Sequence, residues 1–276
     1  MNVNFDGDVD INAFTNVEDG ERYEAWLVTF NGTDYVLKKA KGKENEIYSA
    51  FFSQNIKGAP RLYKSVTFDG ESYILIEFIE GGDMCRCDRD SLKRVLDALI
   101  DLQERFWKSD IKAGISFEES LEGRKDRGRY LKDHKLEEVY EEFLWVYESL
   151  PRTLCHDDLL PFNVLVCDKG ATIIDWEVAG ILPYPTSLAR LIAHCEDTED
   201  ALFYMTNEDE RFAIEYYYDN FVKGKGIGYL DYRYALDLFL FYEYCEWIML
   251  GVKYDDADMD RYERYLAKAR EHIKNF

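Results

Sequence analysis

The stretch LCHDDLLPFNVLV, Leu154 to Val166, limits the fold more than any other part of the chain. A histidine, two aspartates and an asparagine interrupt two short apolar runs. Buried strands seldom carry so many polar groups, because each one left without a partner costs free energy. Those residues therefore form either a polar turn that joins two strands or a reaction centre that the strands hold. The runs VLVC and ATIIDW follow, joined at Asp168-Lys169-Gly170, and they read as a hairpin. That hairpin carries Asp175, twelve residues after Asn163, back beside His156, Asp158 and Asn163.

Phosphoryl transfer from a nucleotide needs such a set. One carboxylate accepts the proton of an attacking hydroxyl, while an amide oxygen and a second carboxylate hold magnesium against the phosphates. A loop bearing both Asp158 and Asn163 fixes the base and the metal relative to each other.

The rest of the chain falls into two halves of different character. The first 80 residues are strand-rich. EAWLVTF and DYVLKKA flank Asn31-Gly32, a strong hairpin signal, and RLYKSVTFDGESYILIEFI supplies two more strands around Asp69-Gly70. Between these pairs, KENEIYSAFFSQNI reads as a short helix with Ile47, Tyr48, Ala50 and Phe51 on one face. EGGD then breaks the pattern, which places a boundary at about residues 77–82, between a lobe of residues 1–80 and one of residues 83–276. Beyond it, SLKRVLDALIDLQERFW carries Leu92, Val95, Leu96, Leu99 and Phe106 at helical spacing, with Ser91 as the expected cap, and LEEVYEEFLWVYESL repeats the pattern. After Pro185 the remainder reads as helices. KGKGIG lacks the spacing of a nucleotide-binding glycine loop and reads as a connection between two of them.

Charge and composition narrow the partners. Lys and Arg number 34 against 55 Asp and Glu, a net charge of −21. A polyanion would be repelled and no basic stripe offsets this, so nucleic acid is not an expected partner; a small cation would be attracted. LDLFLFYEYCEWIML is the longest apolar-rich stretch, but Asp237, Glu243 and Glu246 make it a buried helix rather than a membrane span. The N-terminal residues MNVNFDGDVD show no signal-peptide pattern, and the six cysteines complete no zinc site, so reduced thiols and a cytoplasmic location are expected. Nothing in the sequence points to an oligomeric state.

CHDDLLPFN followed by IIDWEVAG resembles the catalytic loop and metal-binding segment of the aminoglycoside phosphotransferase and choline kinase-like superfamily. The resemblance implies an α+β, two-lobed protein kinase-like fold, with a small strand-rich N-terminal lobe and a larger, mainly helical C-terminal lobe. It implies an enzyme that moves the γ-phosphate of ATP or GTP to a hydroxyl of a small acceptor such as an aminoglycoside, choline or a related amino alcohol or sugar. Asp158 would be the base, Asn163 and Asp175 the Mg2+ ligands, and His156 a buttress of the loop by hydrogen bonding; Asp157, at the variable position, is expected to point away. The kinase pattern places a small apolar residue two before its phosphate-binding lysine, which selects Lys38 over Lys39 because Val36 and Lys38 share a strand face. Glu44, on the helical face of Ile47, Tyr48 and Phe51, is preferred over Glu46 as partner to Lys38. The backbones of Glu77 and Ile79 would meet the nucleotide base, with Ile76 behind it. Two departures stand out. Only Gly20 marks the turn that should cover the phosphates, and Ser187-Leu188-Ala189 stands where relatives carry Asp-Leu-Ala. A catalytically weak nucleotide-binding or scaffold protein on the same fold is the alternative.

A cationic acceptor is expected at the C-terminal helices. Glu243 and Glu246 lie one turn apart on an otherwise apolar helix, with Tyr242 and Trp247 close by. Buried carboxylates need positive or hydrogen-bonding partners. An ammonium group would supply one, and an aromatic face would add cation–π attraction; a nearby arginine would serve equally.

Overall fold

The computed structural model describes residues 9–15, 22–254 and 259–275. Gly20 lies outside them. An antiparallel sheet forms first, from β1 (Val9–Thr15), β2 (Arg22–Phe30) and β3 (Thr33–Lys39), then β4 (Leu62–Phe68) and β5 (Glu71–Glu77), in the order β1-β2-β3-β5-β4. Its tight turns are where the residue types place them. Asn31 and Gly32 both take positive φ, 50° and 76°, as do Asp69 and Gly70 at 52° and 82°. Such turns match the twist of paired strands and favour Asn-Gly and Asp-Gly.

One helix, α1 (Glu44–Phe51), crosses between β3 and β4. It is shorter than the sequence suggests. Ile47, Tyr48 and Phe51 are buried as expected, and Glu44 is buried on the same face, whereas Ala50 is exposed. Ala50 lies two residues from Tyr48, about 200° around the helix, so it cannot share a face with both neighbours.

The helical part begins with α2 (Arg89–Arg105). Leu92, Val95, Leu96 and Leu99 are at most 1% exposed and face the core. Its cap is Asp88 and not Ser91: the Asp88 carboxylate accepts from the Asp90 and Ser91 N–H groups, and Ser91 Oγ–H donates to it as well. An aspartate three residues earlier reaches the free N–H groups of the first turn, so the helix starts there. Next come α3 (Phe117–Gly128) and α4 (His134–Ser149), then β6 (Arg152–His156), the hairpin of β7 (Val164–Cys167) and β8 (Gly170–Ile173), and β9 (Ala179–Pro183), which pairs with β6. Helices α5 (Thr186–Ala193), α6 (Asn207–Asn220), α7 (Tyr229–Tyr254) and α8 (Met259–His272) complete the chain.

α7 runs through the centre of this half, against α4, α5 and α8. Leu236, Leu238, Phe239, Phe241 and Tyr242 are buried around its circumference, which is why its sequence lacks one apolar stripe. Each large apolar side chain so buried contributes about 1.5–3 kcal/mol before entropy is counted. No helix among the described residues is long and apolar enough to cross a membrane.

The glycines of EGGD join the halves. Gly82 and Val166 exchange backbone hydrogen bonds of 3.0 and 2.7 Å, which ties the end of the sheet to the β7–β8 hairpin. A Cβ on Gly81 would lie 2.8 Å from the Val166 carbonyl oxygen, so only glycine permits the approach.

Candidate active site

The polar loop of the opening stretch lies between β6 and β7, and its backbone is held from several sides. The His156 ring is fully buried. Its Nδ1 accepts from the Asp158 N–H at 3.2 Å, so Nε2 carries the proton and donates to the Ile174 carbonyl at 2.9 Å. Burial keeps the pKa of His156 below its ordinary value, and the ring is a neutral brace between the loop and the far end of the hairpin. Ser187 Oγ accepts from the His156 N–H at 2.9 Å. A hydroxyl thus anchors the loop from α5 at the position where an aspartate was expected.

Asn163 Nδ2 donates to the Asp158 carbonyl at 2.8 Å, which leaves its Oδ1 for another partner. Asp175 adopts the left-handed conformation, φ 62° and ψ 55°, a strained one for a residue other than glycine. Backbone strain of this kind concentrates at functional sites. Its carboxylate accepts from Lys38 Nζ, which also donates to Glu44 Oε1 at 2.8 Å. Burial works against the Lys38 ammonium, but the Glu44 and Asp175 carboxylates more than offset it and hold its pKa above the ordinary value. Burial pushes the Glu44 carboxyl up in turn, with Lys38 drawing it back. Lys39, on the opposite strand face, pairs with Glu24 and Glu71, and Glu46 is exposed.

Between sheet and hairpin opens a cavity of ≈ 700 Å³. Val36, Lys38 and Ile76 line it from the sheet, Glu77 and Ile79 from the strand end, and Asn163 and Asp175 from the hairpin side. The Glu77 N–H is already used, donating to the Arg61 carbonyl at 2.9 Å.

Asp157 turns away from this cavity. Its carboxylate accepts from Arg124 Nη2 at 2.6 Å, and the guanidinium of Arg124, 1% exposed, lies over the Tyr147 and Tyr242 rings at 4.6 and 4.7 Å. The Asp158 carboxylate is held by a different arginine. Arg190, from α5, donates to its Oδ1 through Nε at 3.1 Å and Nη2 at 2.7 Å. The third nitrogen of the same guanidinium, Nη1, reaches Glu243 at 2.8 Å and Glu246 at 2.7 Å. Glu246 is also bound by Arg127 and by the Tyr242 hydroxyl at 3.0 Å. Although burial opposes ionisation, Arg190 and His194 hold the Glu243 pKa down to about 2. These two acids therefore find their positive partners inside the chain. Trp247 packs edge-on against His194, with centroids 6.0 Å apart, and its buried Nε1 has no hydrogen-bond partner.

The family model of the phosphotransferase enzyme family matches residues 13–220. The chain belongs to that family. No curated protein matches the sequence. Solved structures do match, at low identity and over nearly the whole chain. A choline kinase from Cryptosporidium parvum is 14% identical, with a TM-score of 0.62 over 97% of this chain and 90% of its own. A thermostable mutant of the aminoglycoside phosphotransferase APH(4)-Ia, in ternary complex with AMP-PNP and hygromycin B, is 14% identical, with a TM-score of 0.61 over 96% and 93%. A choline/ethanolamine kinase family protein from Mesorhizobium loti is 14% identical, with a TM-score of 0.58 over 96% and 88%. These likenesses establish the expected α+β, kinase-like fold: an antiparallel sheet first, helices after it.

Sequence reasoning missed Arg190, Arg124 and Glu177. Arg190 left a trace: it is one cation in the apolar helix TSLARLIA, as Glu243 and Glu246 are acids in an apolar helix. Unmatched charges of opposite sign on two buried helices could have been paired. Arg124 had no such mark among its charged neighbours. Glu177 stood in the quoted IDWE, yet no role was read from it. Its carboxylate lies with those of Glu44 and Asp175, ligand atoms within 4.8 Å of one another, and its Oε2 is buried without a hydrogen-bond partner.

Proposed function

We propose that this protein transfers the γ-phosphate of ATP or GTP to a hydroxyl group of a small acceptor, with Asp158 as the base. The observation that carries the reading is Lys38. It joins the sheet, α1 and the hairpin at the wall of the cavity by pairing with both Glu44 and Asp175. An ammonium so held is a fixed donor for phosphate oxygens, and placement of charge supplies most of the catalysis in phosphoryl transfer. In this reading the lobe of residues 1–80 grips the nucleotide, its base meets the backbone of Glu77 and Ile79 at a hinge of about residues 77–82, and the acceptor binds to the lobe of residues 83–276.

The donor set fits Mg2+. Asn163 Oδ1 and the Asp175 carboxylate are hard oxygen ligands, and the Glu177 carboxylate, whose Oε2 pairs with Lys41 at 3.8 Å but accepts no hydrogen bond, adds a second acid beside them. Bound there, the ion would neutralise phosphate charge. The chain's own part is to hold the Asp158 carboxylate where it can accept the acceptor's proton, on a loop whose backbone His156, Ser187 and Asn163 fix. A net charge of −21 supports a cationic acceptor. The printed ligands and names of the similar structures suggest which acceptors to try first: hygromycin B, choline and ethanolamine.

The test is transfer of labelled γ-phosphate from ATP and GTP to these acceptors, with and without Mg2+, beside calorimetry of nucleotide binding. The expected outcome is magnesium-dependent transfer, and Asp175→Ala abolishes magnesium-dependent nucleotide binding. Unchanged Mg-ATP affinity in that variant would remove Asp175 from the site. Tight nucleotide binding without transfer to any acceptor or to water would make the chain a binding protein.

A further inference from the structure

Asp158 has its backbone fixed within the loop, with Ser187 of α5 holding the His156 N–H. The Asp158 N–H donates to His156 at 3.2 Å, and its carbonyl accepts from Leu160 N–H and Asn163 Nδ2, both at 2.8 Å. Its side chain has a separate support. Among the described residues, the hydrogen bonds to that carboxylate come from Arg190, and both end on Oδ1. Oδ2 is left for a reacting group. The guanidinium is itself gripped at Nη1 by Glu243 and Glu246, which are 2% and 9% exposed. A lysine could not do this. Only a planar fork presents Nε, Nη1 and Nη2 in fixed directions to separate carboxylates.

Stability does not account for such a cluster. Buried ion pairs seldom contribute more than well-packed apolar side chains of the same volume, because both partners lose their hydration. Here two acids, an arginine, His194 and Arg127 are placed in an otherwise apolar junction of α5 and α7. What the cluster achieves is a direction for one carboxylate.

We propose that Arg190 is a positioning residue that aims the Asp158 carboxylate, and that Glu243 and Glu246 act on the reaction through Arg190 rather than by binding the acceptor. The inference rests on the kinase reading of Asp158 and adds a specific consequence: losing the hub lowers turnover and leaves ligand affinities alone. Misplacing a reacting group by about 1 Å costs on the order of 10²-fold in rate.

The experiment measures kcat and KM for ATP and for whichever of hygromycin B, choline and ethanolamine is phosphorylated, or ATP hydrolysis if none is. The proteins are the unmodified chain, Arg190→Gln, Arg190→Lys, Glu243→Gln and Glu246→Gln, each checked by thermal melting and by calorimetric Mg-ATP affinity. Arg190→Gln should lose roughly 10–100-fold in kcat, with ATP affinity and acceptor KM within about threefold of the unmodified chain. Arg190→Lys should recover part of that loss. The two glutamine variants should lose less, again in kcat alone. If Arg190→Gln does not fold, Glu246→Gln decides by the same split between kcat and KM. A raised acceptor KM at intact kcat in the glutamine variants, or full turnover in every hub variant, would overturn the inference alone. An unmodified chain that transfers phosphate to no acceptor and not to water would overturn the kinase reading and the inference with it.

Discussion

On one side of the loop between β6 and β7 Lys38 reaches two carboxylates, Glu44 and Asp175; on the other Arg190 reaches three, those of Asp158, Glu243 and Glu246. Both are cations placed between secondary-structure elements, and both hold acids that burial would otherwise penalise. They differ in what they face. Lys38 lines an open cavity, whereas the Arg190 side chain is 11% exposed and bonded to carboxylates through all three nitrogens. An ammonium is a point charge that can exchange one partner for a phosphate oxygen; a guanidinium fork bonded at every nitrogen has no partner to exchange. The first suits ligand binding and the second suits alignment of a neighbouring group.

The contrast breaks most sharply at Asp157 and Asp158, adjacent residues whose carboxylates are held by different arginines. Asp158→Asn should lower turnover by about 10²–10⁴-fold while Mg-ATP affinity holds, since the amide cannot accept a proton. Asp157→Ala should leave Mg-ATP affinity in place but cost about 3–5 kcal/mol of stability, because it strips a buried arginine of its carboxylate. Denaturant titration beside steady-state kinetics reads both. If Asp157→Ala instead abolishes turnover in a stable protein, the catalytic register is wrong by one residue.

A smaller effect separates the lysines of β3. Removing Lys38 deletes a preorganised donor at the cavity wall, so Lys38→Ala should lose about 10²–10³-fold in kcat or in kcat/KM for the nucleotide. Lys39→Ala breaks surface pairs with Glu24 and Glu71 and should stay within about threefold. The reverse ranking would mean that β3 presents its other face to the nucleotide.

The smallest effect belongs to the helical side and to pH. Burial holds the pKa of His194 below its ordinary 6.5, against the pull of Glu243. A group depressed in this way is protonated first in the unfolded chain, so stability falls as pH drops through 6.5 towards the folded value. The loss is up to ~1.4 kcal/mol per pH unit across that window. Melting temperatures of the unmodified chain and His194→Asn at pH 7.5 and 5.5 test it: the variant should show the shallower decline. Equal declines would show that His194 takes up its proton in the folded state as readily as in the unfolded one.

Much of this molecule is legible without coordinates, and the legible parts share a cause. Asn31-Gly32 and Asp69-Gly70 turn where they do because few other residues tolerate positive φ. Val36 and Lys38 share a face because strands alternate with period two. Glu44 lies with Ile47, Tyr48 and Phe51 because helices repeat every 3.6 residues. His156, Asp158 and Asn163 belong to one short loop, so their spacing was itself a statement of geometry. Each of these depends on backbone conformation within a few residues.

What the tertiary structure alone decided lies between elements far apart in the chain. Arg190 and Glu243 are 53 residues apart, and Arg124 and Asp157 are 33 apart. Whether they meet depends on how α5 rotates against α7 and how α3 docks against the loop between β6 and β7, and those angles follow from the packing of many apolar side chains at once. Glu243 and Glu246 could be recognised in the sequence as buried acids needing a cation. Which cation answered them was settled by packing: the fold put Arg190 and Arg127 there, within hydrogen-bonding reach.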